Sequence, residues 1–125
     1  KKFIRRISKN ELVYELMAIV YKNAKIDLTT TNATTVLTAP AATSCIFKSL
    51  MVSNDSSSED TITLTITDSA SAVFSLYKNE SVGALSTEEL LKGPLVLQEN
   101  EILKATAATA DRLHVVASYM EASNG

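Results

Sequence analysis

Asp60-Thr61-Ile62-Thr63-Leu64-Thr65-Ile66-Thr67-Asp68 alternates without a break: Ile62, Leu64 and Ile66 fall on one side, and four threonines on the other. Period-two alternation of β-branched residues predicts a strand of an antiparallel sheet, with its apolar face on a core and its threonine face in water. Ala72-Val73-Phe74-Ser75-Leu76-Tyr77 predicts a second strand. The link Asp68-Ser69-Ala70-Ser71 is short and polar enough for a hairpin between them, although it lacks the Asn-Gly pair of the tightest turns.

The same grammar continues outward in both directions. Met17 onward and Lys25-Ile26-Asp27-Leu28-Thr29 suit strands, and Thr34-Thr35-Val36-Leu37-Thr38 is a brief one stopped by Pro40, which has no N–H to give a ladder. Ser44 to Val52 is apolar on both faces near its centre, which predicts an internal strand. Asn54-Asp55-Ser56-Ser57-Ser58-Glu59 predicts an exposed loop. Ser86 to Leu91, Leu95-Val96-Leu97, Ile102 to Thr106 and Leu113 to Met120 complete the set, with Ala107 to Asp111 as a hairpin-length loop. About eight strands at regular spacing, joined by polar turns, predict an all-β domain, a β-sandwich or jelly roll.

At 125 residues, with 46% apolar and 21% charged side chains, the chain supports one globular core. No run of 18 apolar residues exists, so no membrane span is expected. The net charge of −2 conceals an asymmetry. Lys1, Lys2, Arg5, Arg6 and Lys9 stand together with no acid among them, while the remaining 115 residues hold 7 basic and 14 acidic groups. A basic arm over residues 1–16, with room for one helical turn, is therefore expected to precede an acidic sandwich domain over residues 17–125. Ser8-Lys9-Asn10-Glu11 fits a capping box for a short helix over about 9–17. Position 1 is not Met, and Met17-Ala18 resembles a natural start; residues 1–16 lack the apolar core of a signal peptide. The acidic body and few aromatic residues argue against nucleic-acid binding by the domain.

Residues that usually carry chemistry are sparse. Cys45, the single cysteine, lies among Ser44, Ile46 and Phe47 and is expected to be a small buried hydrophobe, since nothing nearby would lower its pKa. His114, the single histidine, sits in an alternating strand and is expected outward or at the core edge rather than in a nucleophilic triad. One Cys and one His do not make a zinc site, and three glycines do not make a phosphate loop. Asn54, Asp55, Glu59 and Asp60 offer oxygens for Ca²⁺ but lack the acid spacing and central Gly of an EF-hand. Glu88-Glu89 and Glu99/Glu101 are expected to be solvated turn residues, not a catalytic carboxylate pair. Asn32, Asn54 and Asn79 begin chance matches to glycosylation acceptors. No enzyme and no cofactor are expected.

Several stretches together resemble a family of small virion proteins of tailed bacteriophages, of the type found in phages of marine bacteria. They are Tyr21-Lys22-Asn23-Ala24, Val36-Leu37-Thr38-Ala39-Pro40, Ser53-Asn54-Asp55-Ser56, Thr61 to Asp68, Leu95-Val96-Leu97, and Asp111 to Tyr119. The resemblance covers most of the chain from Met17 on and is a pattern of strands and turns. It implies a β-sandwich structural component of a virion without catalytic residues, most readily a capsid auxiliary (decoration) protein and otherwise a neck or tail adaptor or fibre-attachment subunit. A receptor- or carbohydrate-binding module is the alternative from another class. The expected partners are other virion proteins and further copies of the chain. The expected contact residues are Lys1, Lys2, Phe3, Ile4, Arg5, Arg6, Ile7 and Lys9, whose charges would steer the arm to an acidic neighbour while Phe3, Ile4 and Ile7 fill an apolar groove.

Overall fold

The computed structural model describes residues 19–123. The basic arm, its capping box and its helical turn lie outside the described residues. Within them run nine strands: β1 (Ile19–Asp27), β2 (Thr34–Thr38), β3 (Thr43–Asn54), β4 (Asp60–Thr67), β5 (Val73–Val82), β6 (Ser86–Glu89), β7 (Leu95–Leu97), β8 (Ile102–Ala107) and β9 (Leu113–Ser123). No helix among these residues is long and apolar enough to cross a membrane.

The strand pairing is nested. β4 pairs with β5, β3 with β6 and β7, β2 with β8, and β1 with β9, every pair antiparallel. Such nesting is what a chain gives when it doubles back once, here at the polar link after β4. Asp68 closes that link: its N–H donates to the Ala72 carbonyl, its Oδ1 accepts from the Ala70 and Ala72 N–H groups, and Ser71 takes a positive φ of 69°. Rolling the resulting ribbon adds the β9–β3 and β8–β4 pairs. The product is a five-stranded sheet in the order β1-β9-β3-β6, with β7 also on β3, facing a four-stranded sheet in the order β2-β8-β4-β5. Two antiparallel sheets connected this way are a jelly roll.

The β8–β9 link is of hairpin length, yet it is not a hairpin. β8 belongs to the four-stranded sheet and β9 to the other, so Ala108–Arg112 carries the chain across the sandwich. Length alone cannot separate the two cases, because the sheets of a sandwich are only about 10 Å apart.

The core between the sheets is aliphatic and light. Leu28, Leu50, Val52, Ile62, Leu64, Leu97, Leu103, Leu113 and Val115 are fully buried, interleaved with Ala39, Ala105 and Ala117. Phe47 and Tyr119 supply its aromatic pair, with ring centroids 5.2 Å apart. Cys45 is fully buried, and desolvation pushes its thiol pKa up, as expected of an inert small hydrophobe.

β3 has apolar side chains on both parities because it contains a bulge. Cys45 and Phe47 face the core, the register shifts between Phe47 and Ser49, and Leu50 and Val52 then face the core on the opposite parity. One inserted residue restores inward direction for a sequence whose alternation would otherwise flip. On its far side β3 meets β7 at Cys45–Phe47 and β6 at Met51–Asn54, leaving a gap between them. Glu89 fills the gap: its carboxylate accepts from Ser49 Oγ, from Leu50 N–H at 2.7 Å and from Leu91 N–H at 3.1 Å. Leu90 N–H donates to the Leu50 carbonyl at 2.9 Å. Burial raises the Glu89 pKa, but these donors outweigh it and hold the carboxyl below its ordinary value. Glu89 is therefore exposed as expected but is no turn residue: it ends β6, and its carboxylate stands in for a missing length of strand.

The loop after β3 is exposed as expected at Asp55 and Ser57 to Glu59, but its two flanking residues are not. Asn54 is buried, with Nδ2 donating to the carbonyls of Ser58 and Val82 while Oδ1 accepts from Ser56 N–H and Oγ. Asp60 is buried too, accepting from Thr61 N–H and Thr109 N–H. A buried amide satisfied on both sides is a loop-builder. The side-chain oxygens that sequence offered to Ca²⁺ are thus committed at Asn54 and Asp60, and Asn54 cannot accept a glycan in the folded state.

Candidate assembly surface

The two sandwich sheets present opposite chemistry to their surroundings. In an antiparallel ladder, directly paired residues share a face. On the four-stranded sheet, the outward row Ser75, Thr65, Lys104, Thr35 crosses all four strands, and Thr67 and Thr106 lie beside it. This is the threonine face expected of β4, and it is polar as expected. The exposed apolar residues Val73, Phe74 and Leu76 belong to the edge strand β5 rather than to the breadth of the face; Val73 pairs with outward Thr67, and Phe74 with Ile66 on the core side.

The five-stranded sheet carries an apolar row instead. Tyr21 on β1 pairs with Met120 on β9, Met120 with Ile46 on β3, and Ile46 with Val96 on β7. These four residues alternate with the core-facing Phe47, Leu97 and Tyr119, so they point outward. Tyr21 is 78% exposed and Val96 49%. Two steps along the strands, a second row runs Lys25, Val116, Met51, Glu89. Met51 is 40% exposed. Between the rows lie Asn23, Ser118 and the bulge residue Lys48, which with Tyr21 line a shallow groove. An outward apolar row spanning a whole sheet is unusual for a sandwich in water and makes this face the candidate interaction surface.

His114 sits at the end of this face. Asp27 lies directly across on β1, with its Oδ1 2.5 Å from Nδ1, and Asp55 beyond β3 places Oδ2 3.0 Å from Nε2. Hydrogen bonding to Asp27 first, then to Asp55 with both charges helping, raises the His114 pKa against a burial effect that lowers it. With carboxylates on both ring nitrogens, the imidazole ties three strands together and has no nitrogen left to activate a nucleophile. The carboxylates flank the ring, and among the described residues no group of three or more His, Cys, Asp or Glu could hold a metal ion. Glu101 and Arg112 serve the loops: Glu101 Oε1 accepts from Gln98 N–H, and an Arg112 guanidinium N–H donates to the Glu59 carbonyl.

The contact residues expected from the sequence, Lys1 to Ile7 and Lys9, lie outside the described residues. The outward apolar rows were missed at the sequence level. Their trace was present as consecutive apolar residues in strands that otherwise alternate: Ile19-Val20-Tyr21, Ile46-Phe47, Leu95-Val96-Leu97 and Tyr119-Met120.

No known family and no curated protein matches the chain. Among solved structures, a protein of Bacillus endospore appendages, described as a novel family of disulfide-linked pili, aligns with a TM-score of 0.53. That alignment covers 86% of this chain and 90% of that one at 9% identity, a likeness of fold. Two structures of a pentameric capsid protein isolated from metagenomic phage sequences align at TM-scores of 0.41 and 0.42, with 17% and 15% identity. They cover 86% and 98% of this chain and 62% and 79% of theirs, and scores at that level do not establish a shared fold.

Proposed function

We propose that this chain is a non-enzymatic structural subunit of a bacteriophage virion, in the role of a capsid auxiliary protein that binds other virion subunits. The observation that carries the reading is the outward apolar row Tyr21, Met120, Ile46, Val96, which would be a liability on a solitary soluble domain and is useful on an assembling one. Support also comes from the stretches that resemble small virion proteins, and by analogy of fold from the use of jelly rolls in capsids. The division into a basic arm over 1–16 and a sandwich over 17–125 belongs to the same proposal. In it, Lys1, Lys2, Arg5, Arg6 and Lys9 steer the arm to an acidic neighbouring subunit, and Phe3, Ile4 and Ile7 hold it there. The protein would reside in the virion and pass through the host cytoplasm during assembly.

Quantitative mass spectrometry of purified particles tests this. A copy number comparable to that of the main shell subunit supports decoration. A single small ring of copies moves the protein to the neck or tail, and its absence from particles defeats the proposal. A second reading has one observation in its favour: the exposed Tyr21 ring stands at a shallow groove with Asn23, Lys48 and Ser118, a combination that suits a sugar. A glycan array with negative results throughout removes it.

A further inference from the structure

We infer that the outer face of the five-stranded sheet packs against the same face of a second copy of this chain, about a two-fold axis running parallel to the strands between β9 and β3. The inference rests on the reading of the protein as an assembling subunit and names the surface it would use. A two-fold interface must be self-complementary: wherever residue i meets j, residue j meets i. An axis in this position exchanges β1 with β6 and β7, and β9 with β3. Tyr21 then lies over the partner's Val96, Met120 over the partner's Ile46, and Val116 over the partner's Met51.

The charges follow the same rule. Lys25 stands at one end of its row and Glu89 at the other, so the exchange sets each ammonium over the partner's carboxylate, twice per pair. Glu89 is anchored by Ser49 Oγ and by the N–H groups of Leu50 and Leu91, which fixes its charge at the face. Asp27 falls over the partner's Thr87 and His114 over the partner's Ser53, so no like charges meet. The other in-plane axis, running across the strands between the two apolar rows, sets Val96 over the partner's Glu89 and brings Lys48 close to its own copy. Opposed like charges exclude that arrangement.

The face is large enough. Four strands about 4.8 Å apart and nine residues rising about 3.4 Å each span about 19 by 30 Å. The projected area is roughly 600 Å² before side-chain relief, approaching the roughly 800 Å² per partner of a standard interface. A modest, concentration-dependent pair is the expected result. The shallow groove at Tyr21, Lys48 and Ser118 would be covered by the partner.

Thiol cross-linking with a short bismaleimide, whose reach suits two sheets packed about 10 Å apart, tests the geometry. The double variant Tyr21→Cys with Val96→Cys should give a covalent dimer, as should a mixture of the two single variants. Each single variant alone should give far less, because its equivalent positions lie on opposite sides of the axis, roughly 14 Å apart in strand spacings in addition to the separation of the sheets. Native Cys45 is fully buried and does not compete. Lys25→Gln should weaken pairing by light scattering severalfold at low salt and leave the melting temperature nearly unchanged, whereas Glu89→Gln, which loses one of two accepting oxygens and the charge, should weaken pairing and also lower the melting temperature. Failure of the double variant to cross-link, or equal cross-linking by either single variant, overturns the face-to-face pair. That failure leaves incorporation into particles untouched, whereas absence from particles defeats the virion role and not the cross-link.

Discussion

Across the four-stranded sheet the outward row reads Ser75, Thr65, Lys104, Thr35; across the five-stranded sheet it reads Tyr21, Met120, Ile46, Val96. Both rows cross the full width of their sheets, and both back onto the same aliphatic core. Threonine suits a strand that must be β-branched for its backbone and polar for water. Tyrosine, methionine, isoleucine and valine satisfy the strand and leave the water side unsatisfied. On the reading proposed above, the threonine side is finished and the apolar side is the one that a neighbour would cover.

The contrast can be broken most severely at the core behind the threonine face. Leu64→Ala should lower stability by about 2–5 kcal/mol, since Leu64 is fully buried. Thr65→Ala, one residue on and facing outward, should cost no more than about 0.5 kcal/mol. Chemical denaturation of both variants measures the pair, and equal losses would put the register of β4 out by one residue.

Next in size is the difference between the outer faces themselves. Met51→Lys on the five-stranded sheet should weaken self-association by more than tenfold, about 1.4 kcal/mol. Thr65→Lys on the four-stranded sheet should leave association unaltered, and neither should shift folding stability by more than about 0.5 kcal/mol. Sedimentation of the two variants side by side decides it; equal effects would erase the distinction between the faces.

Within the threonine face, the side chains are not interchangeable. Thr63 Oγ1 accepts from Asn79 N–H at 3.0 Å, at a bulge where Asn79 adopts a positive φ of 53°. Thr63→Ala should therefore cost about 1 kcal/mol, above the loss at Thr65. A urea titration resolving the two variants would sharpen the picture of that face as a surface with one local fastening.

The smallest effect is pH-dependent and sits at the end of the apolar face. The folded-state pKa of His114 is raised, so its contribution is fully present below the unfolded value of about 6.5 and is lost as pH rises through the folded value. The melting temperature of the wild type should fall slightly across that window, and that of His114→Gln should not. The ring is about a third exposed, so solvent screening keeps the effect small. Coincident curves for the two proteins would leave Asp27 and Asp55 without energetic weight.

Alternation was enough to specify most of this molecule. Ile62, Leu64 and the four threonines of β4 could take no other direction once the strand was recognised, and the same holds for Leu113, Val115, Ala117 and Tyr119 of β9. Pro40, the Asp68–Ser71 link and the isolated Cys45 were equally legible, because each depends on local backbone chemistry or on the absence of a partner type. The chain order alone did not tell which strands would share a sheet. Ala108–Arg112 has the length of a hairpin and joins two sheets, and the strand runs cannot encode that because it depends on how the ribbon rolls. The bulge at Lys48, the use of Glu89 in place of a strand and the pairing of Asp27 and Asp55 with His114 all bring together residues distant in sequence. The alignment of Tyr21, Met120, Ile46 and Val96 is of the same kind. Each residue is only one apolar side chain in its own strand, and the row exists because register sets four strands side by side.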